Sequence, residues 1–256
     1  MPEGFSVMHQ KENTMKLLII RHGDPDYTID SLTEKGRREA VLLSQRIAPM
    51  NIAAYYVSPL GRAQRTAEFT LGACGRTAQT LDWMREFDCN IPAPDTGEYR
   101  IPWDMLPASW TSIPAYYDKD AWCDVPVMAQ VGMRDAIAQV HEGLDKLLAQ
   151  HGYVREGNIY RAVRPNTDTI ALFCHFGVEC VMLGHLLGIS PMVLWHGFIA
   201  APTSVTTVCT EERREGIASF RVTAFGDVSH LYVHDEPPAF SGRFCEMFSN
   251  TEERHD

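Results

Sequence analysis

Two apolar runs in this chain end in histidine, and each ending could take part in chemistry on one anion. Leu17-Leu18-Ile19-Ile20 stops at Arg21-His22-Gly23, and Thr169 to Cys174 stops at His175. Between them, Tyr55-Tyr56-Val57 is followed by Ser58-Pro59-Leu60-Gly61-Arg62. A guanidinium fork binds two oxygens of one phosphate, and a neutral imidazole nitrogen can attack phosphorus. A phosphomonoester brings a dianion, and transfer of its phosphoryl group is mostly positioning and charge neutralisation. Arg21 and Arg62 suit the role of clamps, His22 that of nucleophile, and His175 that of donor to the equatorial oxygens. For His22 to attack, its other ring nitrogen must be held as a donor, typically by a backbone carbonyl. Gly23 lets the backbone turn sharply and approach the ligand. The N–H groups opening the helix after His175 add a further anion site.

The leaving alcohol needs a proton. Glu86, in Leu81-Asp82-Trp83-Met84-Arg85-Glu86-Phe87, is the candidate donor, with Asp24, Asp88 and Glu98 as competing carboxylates. A neighbouring dianion would raise the pKa of this carboxyl, so that it holds a proton for the leaving group and later acts as base toward water.

The elements that must position these groups follow from periodicity. Leu17 to Ile20 reads as a buried strand whose carboxyl end carries the working groups, as in open α/β sheets. Ala40, Leu43 and Ile47 recur at helical spacing, with Thr33 as cap and Glu34 at the positive end. A second helix is expected to start at Ser58 as N-cap with Pro59 in its first turn. Ala136, Val140, Leu144, Leu147 and Leu148 mark an amphipathic helix stopped near Gly152. Gly152 to Asn166 reads as a loop or hairpin. Thr169 to Cys174 is another buried strand, followed by a helix to Gly188. Thr203 to Thr210 and Ile217 to Ala224 form a β-pair. Residues 88–128, with Trp103, Trp110, Tyr116, Tyr117 and Trp122 and no sustained period, read as an inserted, partly helical cap. Its aromatics either pack among themselves or receive an organic leaving group with a ring-shaped part.

Composition sets the outer limits. The 256 residues are 45% hydrophobic and 22% charged, ordinary for a soluble α/β domain. A net charge of -10 argues against nucleic acid or an anionic membrane as partner, since both reward a basic face. Seven scattered cysteines without a Cys-x-x-Cys pair fit free thiols in a reducing cytosol. Residues 1–14 lack a continuous apolar stretch and a cleavage site, so they read as a polar extension, with Met15 as an alternative start. The stretch from Ile170 to Trp195 is interrupted by His175, Glu179, His185 and three turn residues, which favours a buried strand and helix over a membrane span.

Taken together, IIRHG at 19–23, LTEKGRREA at 32–40, VSPLGRAQRTAE at 57–68, the Glu86 neighbourhood, FCHFG at 173–177 and FGDVSHL at 225–231 resemble the histidine phosphatase superfamily. The resemblance implies a phosphoglycerate mutase-like fold, with Arg21, His22, Arg62 and His175 as the phosphate pocket, His22 as the phosphorylated residue and Glu86 as proton donor. It implies no metal or organic cofactor. Phe176 replaces the first glycine of the usual His-Gly-Gly, which narrows the pocket and places Phe176 with Gly23, Arg21, Arg62 and His175 among the substrate-binding residues. There is no Gly-x-Trp-Glu-Gly after Glu86. Pro25 and Thr28 stand where mutase-type members carry Ser or Thr and Asn, which points away from a mutase.

The expectation is therefore an α/β chain, a three-layer α/β/α sandwich with a mostly parallel sheet over residues 15–235 and a peripheral tail over 236–256. Its function is expected to be metal-independent hydrolysis of a small organic phosphomonoester through phosphohistidine in the cytoplasm, with a homodimer left open. The alternatives are a phosphoglycerate mutase-type transferase and an inactive phosphate-binding module. A metal enzyme using His175, Glu179, His185, His196, His230 or His234 is disfavoured, because no compact ligand triad appears in the sequence and Arg21 and Arg62 would repel a cation.

Overall fold

A computed structural model describes residues 14–255 of the chain. The polar extension expected at the N-terminus lies, apart from Thr14, outside the described residues. The sheet has eight strands: β1 (Lys16–Arg21), β2 (Ala54–Val57), β3 (Gln79–Thr80), β4 (Tyr153–Glu156), β5 (Ile159–Ala162), β6 (Thr169–Cys174), β7 (Val205–Arg214) and β8 (Ile217–Asp227). Their spatial order is β3-β2-β6-β1-β7-β8-β5-β4. The strands from β3 to β1 run parallel, whereas β7, β8, β5 and β4 continue the sheet with antiparallel pairings.

Strand alternation divides the core into two layers. Leu18 and Ile20 of β1 pack with Tyr55, Val57, Ala171 and Phe173 beneath helices α1 (Glu34–Ile47) and α2 (Gly61–Cys74), which bury Leu43, Ile47, Ala63 and Ala67. Leu17 and Ile19 face the other way, into a larger core with Leu172 and Val208. That core is covered by α3 (Met133–Gln150), α4 (Phe176–Leu187) and α5 (Pro191–Gly197). Helices on both faces of a sheet with parallel central strands make the three-layer α/β/α sandwich.

Thr33 caps α1 as its sequence suggests, accepting from the Gly36 N–H. The start of α2 differs from expectation. Ser58 remains bound to the sheet, its N–H donating to the Phe173 carbonyl, and the helix begins at Gly61 with Leu60 at the cap. Ser58 Oγ accepts from the Leu60 N–H at 3.3 Å, one turn short of the helix itself. The stretch after Gly152 resolves as the β4–β5 hairpin.

The segment 88–128 is partly helical, with short helices at Pro107–Thr111 and Pro126–Ala129 and 3-10 turns between them. It builds no separate core: Tyr116 and Trp122 are fully buried in the main one, where Trp122 meets Trp195 edge-on. The tail runs along the surface, with Ala239 its one buried residue among the described ones, and is tied to the body of the fold. Glu236 pairs with Lys35 and Arg38, the Ala239 N–H donates to the buried Glu39, and the chain then crosses Arg21 and returns to pair Arg254 with Asp104 of the cap. Its polar composition hides this course, because its anchors are ion pairs and backbone groups rather than an apolar stripe.

Candidate active site

Register brings the site together. Arg21 lies opposite Cys174 and Val57 opposite Phe173, so the first residues past the three parallel strand ends, His22, His175 and Ser58, become neighbours. The His22 N–H donates to the Cys174 carbonyl, and the two imidazole centroids are 5.0 Å apart. Both rings are buried, with His22 1% exposed.

The His22 ring is fixed at both nitrogens. Nδ1 lies 2.7 Å from the Gly23 carbonyl and donates to it, and Arg62 Nε donates to Nε2 at 3.3 Å. Nε2 therefore carries the lone pair. Burial, followed by the charges of Arg21 and Arg62, holds the His22 pKa well below its usual value, against the opposing pull of the Gly23 carbonyl. Gly23 itself serves differently from expectation. Its N–H is committed to Thr66 Oγ1 at 2.9 Å and a Cβ there would stand 2.7 Å from the Gly36 carbonyl oxygen. The glycine permits close packing of the loop on α1 and has no amide to spare for a ligand.

His175 Nε2 lies 2.7 Å from Ser58 Oγ. A hydroxyl donating there leaves the ring proton on Nδ1, which is buried and has no partner. Burial first, then His22, Arg62 and Arg21, push the His175 pKa well down. Arg62 in the first turn of α2 is held by Asp30, whose Oδ1 accepts from its Nη1 at 2.7 Å and whose Oδ2 accepts from the Gly61 N–H at 2.6 Å. Tyr27 lies over the same guanidinium at 5.4 Å. Arg21 Nη1 donates to the carbonyl of Ala200 at 2.5 Å, while its Nε is buried without a partner.

Glu86 joins this group. Its Oε1 accepts from the N–H of Phe87 at 2.8 Å and from that of Val178, at the start of α4, at 3.2 Å. Burial raises the pKa of its carboxyl against the pull of those N–H groups and of Arg62 and Arg21. The competing carboxylates are elsewhere: Asp24 binds Thr33 Oγ1, while Asp88 and Glu98 are exposed. All five residues expected to carry the chemistry therefore converge. Phe176 sits on the border of an adjoining cavity of about 680 Å³ that also touches Arg21.

Three further residues join the site without a clear signal in the sequence. Ser58 reads locally as a helix cap, Asp30 sits in a loop with no pattern around it, and Glu179 on α4 is buried near Arg21 and Glu86. The i, i+4 spacing of Glu179 from His175 is its one local signal, and that spacing is equally a metal-ligand pattern. Among the described residues no group of three or more His, Cys, Asp or Glu side chains could hold a metal ion. His185 instead bonds Asp145 and stacks on His141.

The family model described as "Histidine phosphatase superfamily (branch 1)" matches residues 17–223. A relative named probable phosphoglycerate mutase GpmB, from Cronobacter sakazakii, is 33% identical over 86 residues, 30% of this chain and 40% of the relative. The chain thus spans less than half the length of the curated relatives it matches. Among solved structures, a phosphoserine phosphatase from Entamoeba histolytica is similar at a TM-score of 0.55 with 21% identity, covering 85% of this chain and 99% of that one. An alpha-ribazole phosphatase from Shigella flexneri is similar at 0.52 with 18% identity, covering 84% and 97%. At these identities the likeness is one of fold.

Proposed function

We propose that this chain, which belongs to the histidine phosphatase superfamily, is a phosphomonoester hydrolase that works without a metal through a phosphohistidine at His22. The observation that carries the reading is the fixed tautomer of His22: the Gly23 carbonyl holds the proton on Nδ1 and leaves Nε2 as a neutral nucleophile between two guanidinium groups.

The residues divide the work as follows. Arg21 and Arg62 neutralise the phosphoryl dianion, and Asp30 keeps the Arg62 fork in place. His22 Nε2 forms the N–P bond as the ester P–O bond breaks, and the unspent Nδ1–H of His175 donates to an equatorial oxygen. Glu86, whose carboxyl burial raises above its usual pKa, gives its proton to the departing alcohol oxygen. In the second half a water oxygen bonds to phosphorus, the N–P bond breaks, and Glu86 takes back a proton. Inorganic phosphate leaves and the site is restored.

A mutase-type phosphotransferase, in which a second alcohol replaces water, has one observation in its favour: the naming of the relatives matched over 86 residues. The test of the main reading is phosphate release from a panel of phosphomonoesters, with a chelator present throughout, by the protein and by His22→Ala. Release that persists with chelator and vanishes in the variant is expected. Release abolished by the chelator, or retained in the variant, would overturn the reading.

A further inference from the structure

Beside the phosphate cluster lies a cavity of about 680 Å³ walled by three parts of the chain. The cap contributes Trp103 and Trp110, α4 and α5 with the loop after them contribute Phe176, Trp195 and Phe198, and the tail contributes Phe244. The rings are set against one another: Trp103 lies 5.6 Å from Trp195 at 50°, and Trp110 stacks on His196 at 4.7 Å and 22°. His196 is held in place, its Nδ1 donating to the Met192 carbonyl at 2.8 Å. Toward solvent the wall continues with Leu106, Phe198 and Ile199, 40%, 43% and 58% exposed. Single exposed apolar side chains are ordinary, but several gathered at the mouth of one cavity mark a binding site.

The charges on this wall decide what it can receive. Asp104 is paired with Arg254 and Arg243 with Glu246, and both nitrogens of His255 face backbone carbonyls. Arg21 also lines the cavity. A glycerate would need a free basic group for its carboxylate, an amino acid ester would need a free carboxylate, and a sugar would need several polar groups. The charged side chains of the wall other than Arg21 are already paired, so a charged leaving group would compete with those pairs. An apolar ring makes no such demand, and aromatic walls favour it by offset or edge-on contact.

The cavity meets the phosphate cluster at Arg21, and one of its wall residues, Trp103, lies close to Glu86. A Cβ at Gly177 would stand 2.3 Å from the Trp103 ring and 2.6 Å from Glu86 Oε1, so the acid and the inner aromatic wall share one border. Resting on the hydrolase reading above, we infer that the substrates are phosphomonoesters of aromatic or otherwise flat apolar alcohols, with the ring held between cap and tail and the phosphoryl group on Arg21.

The test compares benzyl phosphate with ethyl phosphate, whose leaving alcohols are similar in acidity, so that the chemical step cancels. Burying one ring should raise kcat/KM for the benzyl ester roughly tenfold to a hundredfold over the ethyl ester. Phe198→Ala and Phe244→Ala should each lower that ratio by roughly threefold to tenfold. Calorimetric binding of benzylphosphonate against ethylphosphonate needs no turnover and should show the same preference. Preferential benzylphosphonate binding with no hydrolysis of either ester would sink the hydrolase reading and leave this pocket standing. A benzyl-to-ethyl ratio near one in binding, or a preference that neither variant reduces, would overturn the pocket assignment.

Discussion

At the scale of single residues, the site's chemistry lies in opposite displacements of two titratable groups. Burial and two guanidinium groups push the His22 pKa well down, while burial raises that of the Glu86 carboxyl. With poor leaving groups, kcat/KM should therefore fall as pH rises through the elevated Glu86 pKa, and that alkaline limb should disappear in Glu86→Gln. The variant should lose roughly a hundredfold to ten-thousandfold on alkyl esters and much less on p-nitrophenyl phosphate, whose leaving group needs no proton. Equal losses on both esters would remove Glu86 from the role of acid. Arg21, His22, Arg62, Glu86 and His175 could be found in the sequence because each lies beside a strand end, a helix start or a recognisable string. Asp30 could not, since only the folded chain brings its carboxylate to Arg62 and the Gly61 N–H. Asp30→Asn should raise KM more than it lowers kcat, because it loosens a binding group rather than a reacting one.

At the scale of elements, the site depends on register and close approach. Ser58 reaches His175 because β2 and β6 pair in parallel, which local capping signals could not reveal. The same pairing explains why α2 starts later than its sequence suggests. The strands themselves and α1 were legible, since a buried run with period two and a capped amphipathic stripe are local properties. The junction of α4 with the cap is tighter than any local pattern indicates. Gly177→Ala would place a methyl group within 2.6 Å of both Trp103 and Glu86. Stability in denaturant should drop by about 1–3 kcal/mol from overpacking, and kcat should fall as Glu86 is displaced. Unchanged stability and activity would show that the cap yields freely.

At the scale of the whole molecule, the tail ties α1 to the cap across Arg21, and buried ionisable groups elsewhere in the fold link stability to pH. Glu179 is 1% exposed, and burial pushes its carboxyl up to about 7 against the pull of Thr206 and Arg21. A carboxyl raised from an unfolded value near 4.5 favours folding fully below that pH. Its contribution is lost as pH rises from about 4.5 through about 7, by up to about 3 kcal/mol. His230, lowered to about 4 mainly by burial, acts in the other direction, its stabilisation being lost as pH falls from about 6.5 through about 4. Glu179→Gln should therefore flatten the decline in unfolding free energy between pH 5 and pH 8, measured by denaturant titration, and leave the acid side intact. An unchanged slope would mean that Glu179 stays ionised in the fold. The tail's course over Arg21 was hidden in the sequence for a related reason: long-range ion pairs and backbone contacts hold it, and neither leaves a period.

The most direct test of the account is to find the covalent intermediate. The protein is mixed with a phosphomonoester, quenched in alkali and mapped by mass spectrometry. An acid-labile, alkali-stable phosphoryl group is expected on His22 and absent from His22→Asn, which should also lose turnover by about three orders of magnitude or more. A phosphoryl group on another residue, or full turnover in His22→Asn, would contradict it.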